Sequence, residues 1–282
     1  MARQPQPSTV ELFRALDVDV DLTADNFAAA ERLFRAGRAD ERVRTTDIAE
    51  LTADNLDDAY RIQRINIRKE INEGRSVVGY KVGLTSEAMQ QQLRTAEPDS
   101  GILLDRMVQP SGCTVDKETL FSGRIEAEFA VELSPTARPD QLIDEAGIRS
   151  NISRTMLALE VLDTRYESWL ISLWHSIADN ASCAMAVVGT PTEEVWAEQL
   201  KDLTIDVFVD GEKRDSGKGS AVLGDPINSV VWLARQLKRS GLSLHPGDIV
   251  ITGSVHASIA LEGVSEVVAR SHSHDDVVAR FR

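Results

Sequence analysis

The spacing of apolar residues changes from a helical to a strand period near residue 77, and this change limits the folds that the chain can adopt. In the first part, apolar side chains recur at helical spacing, most clearly at 56–71. Beyond it they alternate with a period of two, as at 124–133, and a single later segment returns to helical spacing. Strands and helices therefore do not alternate regularly, which disfavours a Rossmann or barrel fold. The pattern predicts an α+β fold, with a helical N-terminal cap at residues 1–76 and a β-rich core at residues 77–282.

Cap and turn residues mark the ends of several predicted elements. Thr23 and Thr52 each stand between a leucine and the sequence Ala-Asp-Asn, an arrangement typical of a helix N-cap with an acidic first turn. Asp210 followed by glycine predicts a two-residue hairpin turn. Asp225 followed by proline predicts the start of a late helix, which Gly241 should end.

The overall charge excludes several classes of partner. The chain has 31 Lys and Arg residues against 45 Asp and Glu residues, a formal net charge of −14. Such an acidic surface repels phosphate backbones and anionic lipids, so neither nucleic acid nor a membrane is expected as a partner. The sequence shows no apolar run of membrane-spanning length and no signal peptide, so a cytoplasmic location is expected. An anionic substrate would need a metal ion or well-placed cations in its binding site.

Two glutamates at alternate positions of a predicted strand are the first candidate metal ligands. The carboxylates of Glu126 and Glu128 leave the same face of the strand, where they repel one another unless a cation lies between them. Carboxylate oxygens are also the ligands that Mg²⁺ and Mn²⁺ prefer. A solvated strand face, continued by Glu132, is the alternative, and for an isolated Glu-x-Glu pattern it is the commoner outcome.

A third glutamate favours the metal site. Glu160 interrupts the apolar sequence MLALEVL, where its carboxylate would be buried. Burial of an unpaired carboxylate is costly, so Glu160 needs a metal ion, a neighbouring cation or a shared proton. A structural ion pair with Arg165 or Arg124 is the alternative to a metal ion.

Lys81 is the candidate cation of the site. It lies between Gly79 and Gly83, on the strand face opposite the apolar residues. Glycines at these positions would let a ligand approach the lysine closely. An ordinary solvent-facing lysine on an edge strand is an equally open interpretation.

Other motifs carry little functional weight. The sequence GKGS at 217–220 lacks the spacing of a phosphate-binding loop. His272 and His274 are expected in a polar tail, and His175 is expected to be an ordinary histidine rather than a catalytic base. The chain has no Gly-x-Ser-x-Gly motif, so serine-hydrolase chemistry finds no support.

A series of segments resembles a known enzyme family. In chain order they read DDAYRIQ, GYKVGLTSEAMQQQL, EPDSGILLDRM, RIEAEFAVEL, ALEVLDTRYESW, IADNASC, SGKGSAVLGDPINSVVWLARQL and GDIVITGS. Together they are similar to the 2-hydroxypenta-2,4-dienoate (2-keto-4-pentenoate) hydratases and 4-oxalocrotonate decarboxylases of the fumarylacetoacetate hydrolase superfamily. The resemblance extends over about residues 55 to 260, and segments that match in order are more specific than any one motif.

The resemblance implies a fold, a cofactor and a set of site residues. The fold would be a helical cap on a mixed β-roll catalytic core of the fumarylacetoacetate-hydrolase type, in a homo-oligomer that is open to association with a pathway partner enzyme. Mg²⁺ or Mn²⁺ would be bound by Glu126, Glu128 and Glu160. Lys81 would face the carboxylate end of the substrate. The resemblance further assigns Leu84 and Ser182 to the substrate pocket, and Asp163 and Arg165 to support of the catalytic site.

The resemblance also implies a lyase of aromatic catabolism. The main expectation is a metal-dependent hydratase that adds water to a 2-hydroxy-2,4-dienoate and yields a 4-hydroxy-2-oxo acid. The segments IADNASC and SGKGSAVLGDPINSVVWLAR favour this reaction. The sequence DTRYESW leans towards the alternative, a 4-oxalocrotonate-type decarboxylase of 2-oxo acids. Hydrolysis of an acylpyruvate is a further option, but it normally needs a His–Glu pair on a mobile lid, and no such pair is recognisable in the sequence. A non-catalytic paralogue that supports a partner enzyme is opposed by the complete glutamate triad and Lys81.

Overall fold

The computed structural model describes residues 23–39, 41–49, 56–86, 90 and 97–282. Within them, three helices precede the first strand: α1 (Ala24–Ala39), α2 (Thr46–Ala49) and α3 (Leu56–Asn72). Thr23 caps α1, because its Oγ1 accepts a hydrogen bond from the backbone N–H of Asn26 at 3.2 Å. The capping prediction is thus confirmed for Thr23, whereas Thr52 lies outside the described residues.

The described strands form two sheets. They are β1 (Val77–Gly83), β2 (Asp99–Leu104), β3 (Val108–Pro110), β4 (Cys113–Val115), β5 (Arg124–Leu133), β6 (Ile152–Leu162), β7 (Cys183–Val188), β8 (Thr204–Val209), β9 (Glu212–Lys218), β10 (Ile249–Ser254), β11 (Ile259–Ala260), β12 (Glu266–Ser271) and β13 (His274–Phe281). The larger sheet has the order β2-β1-β10-β5-β6-β7-β3, with β11 paired to β5, and the smaller has the order β4-β13-β12-β8-β9. Because β1 runs parallel to β10 while β10 runs antiparallel to β5, the larger sheet is mixed.

The remaining α-helices lie between the strands, and residues near them show the predicted cap and turn signals. They are α4 (Glu145–Ser150), α5 (Leu173–Ala178) and α6 (Pro226–Arg239). Asp225 begins α6 by accepting the backbone N–H of Ile227 at 2.9 Å, and Gly241 follows the helix with a φ of +71°. Asp210 and Gly211 turn between β8 and β9 with φ of 49° and 85°, as a two-residue hairpin requires. These predictions are therefore confirmed.

Two apolar clusters pack this architecture. The larger fills the space around both sheets, and Phe129 of β5 and Ile125 beside it are completely buried. The smaller joins α1 and α3 with Tyr166 and with Ile177 of α5. None of the described helices combines the length and the apolar character that crossing a membrane would require.

The C-terminal segment corrects one expectation. His272 lies in the turn between β12 and β13, and His274 is the first residue of β13 rather than part of a polar tail. The prediction was wrong because the apolar residues that follow at alternate positions, Val277, Ala279 and Phe281, bury one face of a strand.

Candidate metal centre and active site

The three predicted metal ligands meet on the paired strands β5 and β6. Glu126 and Glu160 stand directly opposite each other in the antiparallel register, and Glu128 lies two residues further along β5. One carboxylate oxygen from each of the three lies within 4.8 Å of the other two. The side chains are 6%, 0% and 0% exposed for Glu126, Glu128 and Glu160, which excludes a solvated strand face. Glu132 instead pairs with Arg154 at the margin of the sheet.

The oxygens of this triad fit a divalent metal ion. Glu128 uses one oxygen to accept the backbone N–H of Gly253 at 2.6 Å. Its other oxygen and both oxygens of Glu160 are buried and have no hydrogen-bond partner among the described residues. Buried polar atoms without partners are costly, and carboxylate oxygens are suitable ligands for Mg²⁺ or Mn²⁺. The three carboxylates, and the buried oxygens among them that lack hydrogen-bond partners, therefore agree with a magnesium or manganese site.

The electrostatics of the triad agree with the same conclusion. Burial and the neighbouring carboxylate of Glu160 together raise the pKa of Glu126 to about 8, although Lys81 opposes the shift. Burial and Glu160 also raise the pKa of Glu128. For Glu160, burial raises the pKa while Lys81 opposes the rise. A bound divalent cation would remove the reason for these carboxylates to hold protons.

Lys81 is buried beside the triad. It is 3% exposed, and β1 lies between β2 and β10, so the expectation of a solvent-facing lysine on an edge strand is wrong. Its Nζ lies 3.4 Å from Oε1 of Glu160 and 3.9 Å from Oδ1 of Asp99, and donates to the carbonyl of Ala181 at 3.0 Å. Burial disfavours the charged form, but the carboxylates of Glu160 and Asp99 raise the pKa of Lys81 above its usual value.

The nearest cation to Glu160 is therefore Lys81, and neither arginine considered from the sequence fills that place. Arg165 pairs with Asp179, and Arg124 donates to Ser258. Lys81 gives Glu160 one ion pair but leaves both carboxylate oxygens without a hydrogen bond among the described residues. A structural ion pair therefore does not account for this buried carboxylate.

The glycines around Lys81 serve packing between the site's own residues. A Cβ at Gly83 would lie 2.8 Å from Nζ of Lys81 and would clash with Asp99. A Cβ at Gly101 of the neighbouring strand would lie 3.0 Å from Cγ of Lys81. At Gly79, with a φ of +157°, a Cβ would collide with the backbone of β10. The space at Gly83 thus admits Asp99 and Lys81 themselves rather than a ligand.

A strained turn completes the surroundings of Lys81. Asn180, Ala181 and Ser182 all have positive φ, at 55°, 52° and 55°, although none is a glycine. The Asn180 side chain holds this turn against β2, accepting the N–H of Ile102 at 2.8 Å and donating to its carbonyl at 3.0 Å. Strained backbone of this kind is commonly found where side chains are held for function.

A cleft reaches the triad at Glu126 and contains about 960 Å³ of empty space, including its mouth. Lys81 and Glu126 line it, and so do both residues that the resemblance assigned to substrate binding, Leu84 and Ser182. The hydroxyl of Ser182 is buried and has no partner among the described residues. The structure therefore brings together the predicted metal ligands, the lysine and the pocket residues.

Asp163 and Arg165 lie behind the cleft and not among its lining residues within the described chain. The Asp163 carboxylate accepts the backbone N–H groups of Phe121 and Ser122, each at 2.9 Å. Its backbone N–H donates to the carbonyl of Ser182 at 2.9 Å. Arg165 forms an ion pair with the buried carboxylate of Asp179, the residue that precedes the strained turn. Their contacts suit support of the turn rather than contact with a substrate.

Two functional candidates escaped the sequence analysis. Asp99 is 2% exposed and lines the cleft, with Oδ2 accepting from Ser176 at 2.9 Å and Oδ1 without a hydrogen-bond partner among the described groups. The sequence signal that could have identified Asp99 is the one used for Glu160: an acidic residue next to apolar strand residues, here those of SGILL. The His256 ring accepts the N–H of Ala127, between two metal-ligand candidates, at 2.9 Å. No local sequence pattern predicts this contact.

Comparison with known proteins places the chain in a family. The family model described as fumarylacetoacetate (FAA) hydrolase C-terminal matches residues 101–279. The 2-keto-4-pentenoate hydratase of Paraburkholderia xenovorans is 35% identical over 208 residues, 74% of this chain and 77% of that protein. The 4-oxalocrotonate decarboxylase of Pseudomonas putida is 33% identical over 238 residues, 84% of this chain and 88% of that protein.

A solved structure agrees with these matches. The 4-oxalocrotonate decarboxylase from Pseudomonas putida G7, complexed with magnesium and adipate, superimposes with a TM-score of 0.82 at 30% identity, over 93% of this chain and 99% of that one. The family model covers more than half of the chain, and the relatives exceed 30% identity over most of its length. The chain therefore belongs to the fumarylacetoacetate hydrolase family.

Proposed function

We propose that this protein is a metal-dependent hydratase, which adds water to a 2-hydroxy-2,4-dienoate and yields a 4-hydroxy-2-oxo acid. The observation that carries the proposal is the buried triad of Glu126, Glu128 and Glu160, which opens onto a cleft beside the charged Lys81. The similarity to proteins named 2-keto-4-pentenoate hydratase supports the reaction.

The triad would hold Mg²⁺ or Mn²⁺ through carboxylate oxygens. When bound, the ion supplies Lewis-acid stabilisation of the negative charge that develops on the C2 oxygen of a 2-oxo acid. Lys81 adds a fixed positive charge beside Glu160, placed to attract the substrate's carboxylate end. Leu84 and Ser182 line the same cleft and would confine and orient the substrate.

Asp99 is the residue best placed to move a proton. Interconversion of the enol and keto forms requires a proton to be delivered to, or removed from, a carbon of the substrate. Oδ1 of Asp99 lies 3.9 Å from Nζ of Lys81 and has no hydrogen-bond partner among the described residues, while Ser176 donates to the other oxygen. A carboxyl group with one oxygen anchored and the other without a hydrogen bond suits general acid–base catalysis.

The alternative function is a 4-oxalocrotonate-type decarboxylase of 2-oxo acids. The structural similarity to a decarboxylase complexed with magnesium and adipate favours it specifically. Both reactions develop charge on the C2 oxygen, so Lys81 and the triad would serve either. A non-catalytic paralogue is the third candidate, and the retained buried triad opposes it because an unused cluster of buried carboxylates is costly.

The proposal includes the organisation of the whole protein. Residues 1–76 would form a helical cap and residues 77–282 a mixed β-roll core. The order of α1, α2 and α3 before β1, and their separate apolar cluster with Tyr166, support this division. We further propose a homo-oligomer, associated with a partner enzyme if the product or substrate is passed between them.

The test combines two substrates with one matched pair of variants. Freshly prepared 2-hydroxypenta-2,4-dienoate and 4-oxalocrotonate are followed by ultraviolet absorbance with Mg²⁺ or EDTA, while CO₂ release is measured in parallel. The expected result is metal-dependent loss of the dienoate without CO₂. Glu160→Gln should lower the rate by at least about 100-fold, since it removes a ligand charge. Glu132→Gln, on the neighbouring strand β5 and paired with Arg154, should stay within about twofold of wild type.

Other outcomes would change the conclusion. Release of CO₂ from 4-oxalocrotonate would establish the decarboxylase. Absence of turnover on both substrates, with Glu160→Gln binding Mg²⁺ as tightly as wild type, would reject the triad as the metal site and favour the non-catalytic paralogue.

A further inference from the structure

A buried side chain of the helical segment before β1, Gln63, reaches the backbone next to Asp99. Gln63 is the last residue of DDAYRIQ, lies on α3 and is 3% exposed. Its Nε2 donates to the carbonyl of Ser100 at 2.8 Å and to the carbonyl of Ile177 at 3.1 Å. Because both partners can only accept, the NH₂ group of the amide, and not its oxygen, must lie between them. The contact therefore uses both hydrogens of the amide.

Both carbonyls lie where regular secondary structure supplies no donor. β2 is at the end of the larger sheet, so no described strand lies along its outer edge. The Asn180 side chain bonds the outer backbone groups of Ile102, and Gln63 bonds the carbonyl of Ser100. Ile177 belongs to the last turn of α5, where carbonyls lack regular donors within the helix. Gln63 thus joins the edge of β2 to the end of α5.

The two carbonyls flank the hydrogen bond that orients Asp99. Ser100 follows Asp99 in β2, and Ile177 follows Ser176 in α5. The hydroxyl of Ser176 donates to Oδ2 of Asp99 at 2.9 Å, which leaves Oδ1 at 3.9 Å from Nζ of Lys81. A change in the separation of β2 and α5 would act directly on this bond. Misplacement of a catalytic group by about 1 Å can cost about 100-fold in rate.

We propose that Gln63 is a positioning residue, which holds β2 and α5 at the separation that the hydrogen bond between Asp99 and Ser176 requires. None of the described residues before β1 lines the cleft, so Gln63 acts through the two elements that it joins. The helical segment thereby contributes to catalysis from behind the site. The inference rests on the proposed function, because it acts through the proton-transfer role proposed for Asp99.

Steady-state kinetics of Gln63→Met test this role on the full chain with Mg²⁺ and 2-hydroxypenta-2,4-dienoate. Methionine is an unbranched side chain of similar length without an N–H, so both carbonyls lose their donor. We expect kcat to fall about 10-fold, because Asp99 is held less firmly. KM and the affinity for Mg²⁺ should stay within about twofold, since the variant leaves the cleft and the triad intact.

A double-mutant cycle identifies the route by which Gln63 acts. Ser176→Ala removes the hydrogen bond to Asp99 from the other side and should lower kcat by about 10-fold or less. If Gln63 acts through that bond, the combination of Gln63→Met with Ser176→Ala should be little slower than the slower single variant. Independent effects would multiply instead.

Two further variants separate positioning from fold stability. Leu33→Ala removes a buried side chain from the apolar cluster of the same helical segment, so it should lower the urea midpoint and leave kcat within about twofold. Gln63→Glu keeps the length of the side chain, and its carboxyl can donate one hydrogen bond only when protonated. Its kcat relative to wild type should therefore rise as pH is lowered from about 8 to about 6, which keeps the test decisive if Gln63→Met does not fold.

The contrary results distinguish this inference from the proposed function. A kcat of Gln63→Met within about twofold of wild type, or effects of Gln63→Met and Ser176→Ala that multiply, would overturn the positioning role and leave the proposed function standing. An equal fall of kcat in Leu33→Ala would do the same. Lack of Mg²⁺-dependent turnover of the dienoate by wild type would overturn the proposed function and this inference with it.

Discussion

At the scale of the single residue, Asp99 has a role that a variant of equal shape can test. Asp99→Asn keeps the size of the side chain and its contact with Ser176 but cannot transfer a proton in the same way. We expect kcat to fall by about 100-fold or more, the usual contribution of a general acid or base. Because Asp99 is outside the metal-ligand cluster, the affinity for Mg²⁺ should stay within about threefold. Initial rates and calorimetry measure the two quantities.

The matched control for this variant is Ser176→Ala, which removes only the hydrogen bond to Oδ2 of Asp99. Its rate should fall much less than that of Asp99→Asn. An unchanged kcat in Asp99→Asn would show that Asp99 is a counter-ion of Lys81 and takes no part in proton transfer.

The candidate site was partly predictable from single residues. Glu160 stood out because a carboxylate inside an apolar strand needs a partner, and that reasoning depends on local sequence alone. The partner of Lys81 was not predictable, because β1 and β6 are not adjacent in the sheet and their side chains meet only in the folded site. The interpretation of the glycines near Lys81 failed for the same reason, since Asp99 of β2 occupies the space at Gly83.

At the scale of the element, the segment between β10 and β11 is joined to β5 by the imidazole ring of His256 and by the backbone bond from the N–H of Val255 to the carbonyl of Ala127. His256→Leu would leave the N–H of Ala127 buried without an acceptor, which should cost about 1–3 kcal/mol of unfolding free energy. Since Ala127 lies between Glu126 and Glu128, the affinity for Mg²⁺ should also fall, by about 10-fold. Urea unfolding without metal and calorimetry with Mg²⁺ separate these effects.

Conservative and distant variants test whether His256 positions the ligands. His256→Gln offers a carbonyl acceptor and should recover part of the Mg²⁺ affinity. His272→Leu changes an exposed histidine in the β12–β13 turn and should alter neither quantity. A loss of stability in His256→Leu with wild-type Mg²⁺ affinity would limit His256 to a structural role.

Elements with local signals were predicted more successfully than their arrangement. The turn at Asp210 and the cap at Asp225 were predictable, because a two-residue hairpin and an N-cap depend on neighbouring residues. The parallel pairing of β1 with β10 joins segments far apart in the chain, and no spacing in the sequence specifies it. The contact of His256 with the backbone of β5 was equally unpredictable, because a side chain there replaces a backbone contact between strands.

At the scale of the whole molecule, His274 links the two sheets. It belongs to β13 of the smaller sheet, and its ring centre lies 6.0 Å from that of Phe129 in the larger sheet. Its Nε2 lies 3.0 Å from the hydroxyl of Thr155, which donates its own hydrogen to the carbonyl of Val195 at 3.1 Å. The neutral ring must therefore carry its hydrogen on Nε2. Its Nδ1 is buried and unpaired among the described residues, so protonation would place a charge there without an acceptor.

This histidine should make stability fall in acid. Burial and, to a lesser extent, the nearby His272 lower the pKa of His274 to about 4, while Asp275 opposes the shift. Between about pH 6.5 and pH 4 the unfolded state binds more protons than the native state, so the stabilising contribution is complete above that range and decreases as pH falls through it. The slope of unfolding free energy against pH from this one group is at most about 1.4 kcal/mol per pH unit.

Urea unfolding of wild type and His274→Leu at pH 7 and pH 5 measures this contribution, because the contributions of other groups cancel when the two proteins are subtracted. The difference in unfolding free energy between wild type and His274→Leu should decrease at pH 5. His272→Leu keeps the buried ring but removes the smaller cause of its lowered pKa, so it should lose stability in acid slightly less than wild type. A gap of constant size would mean that His274 links the sheets by packing alone.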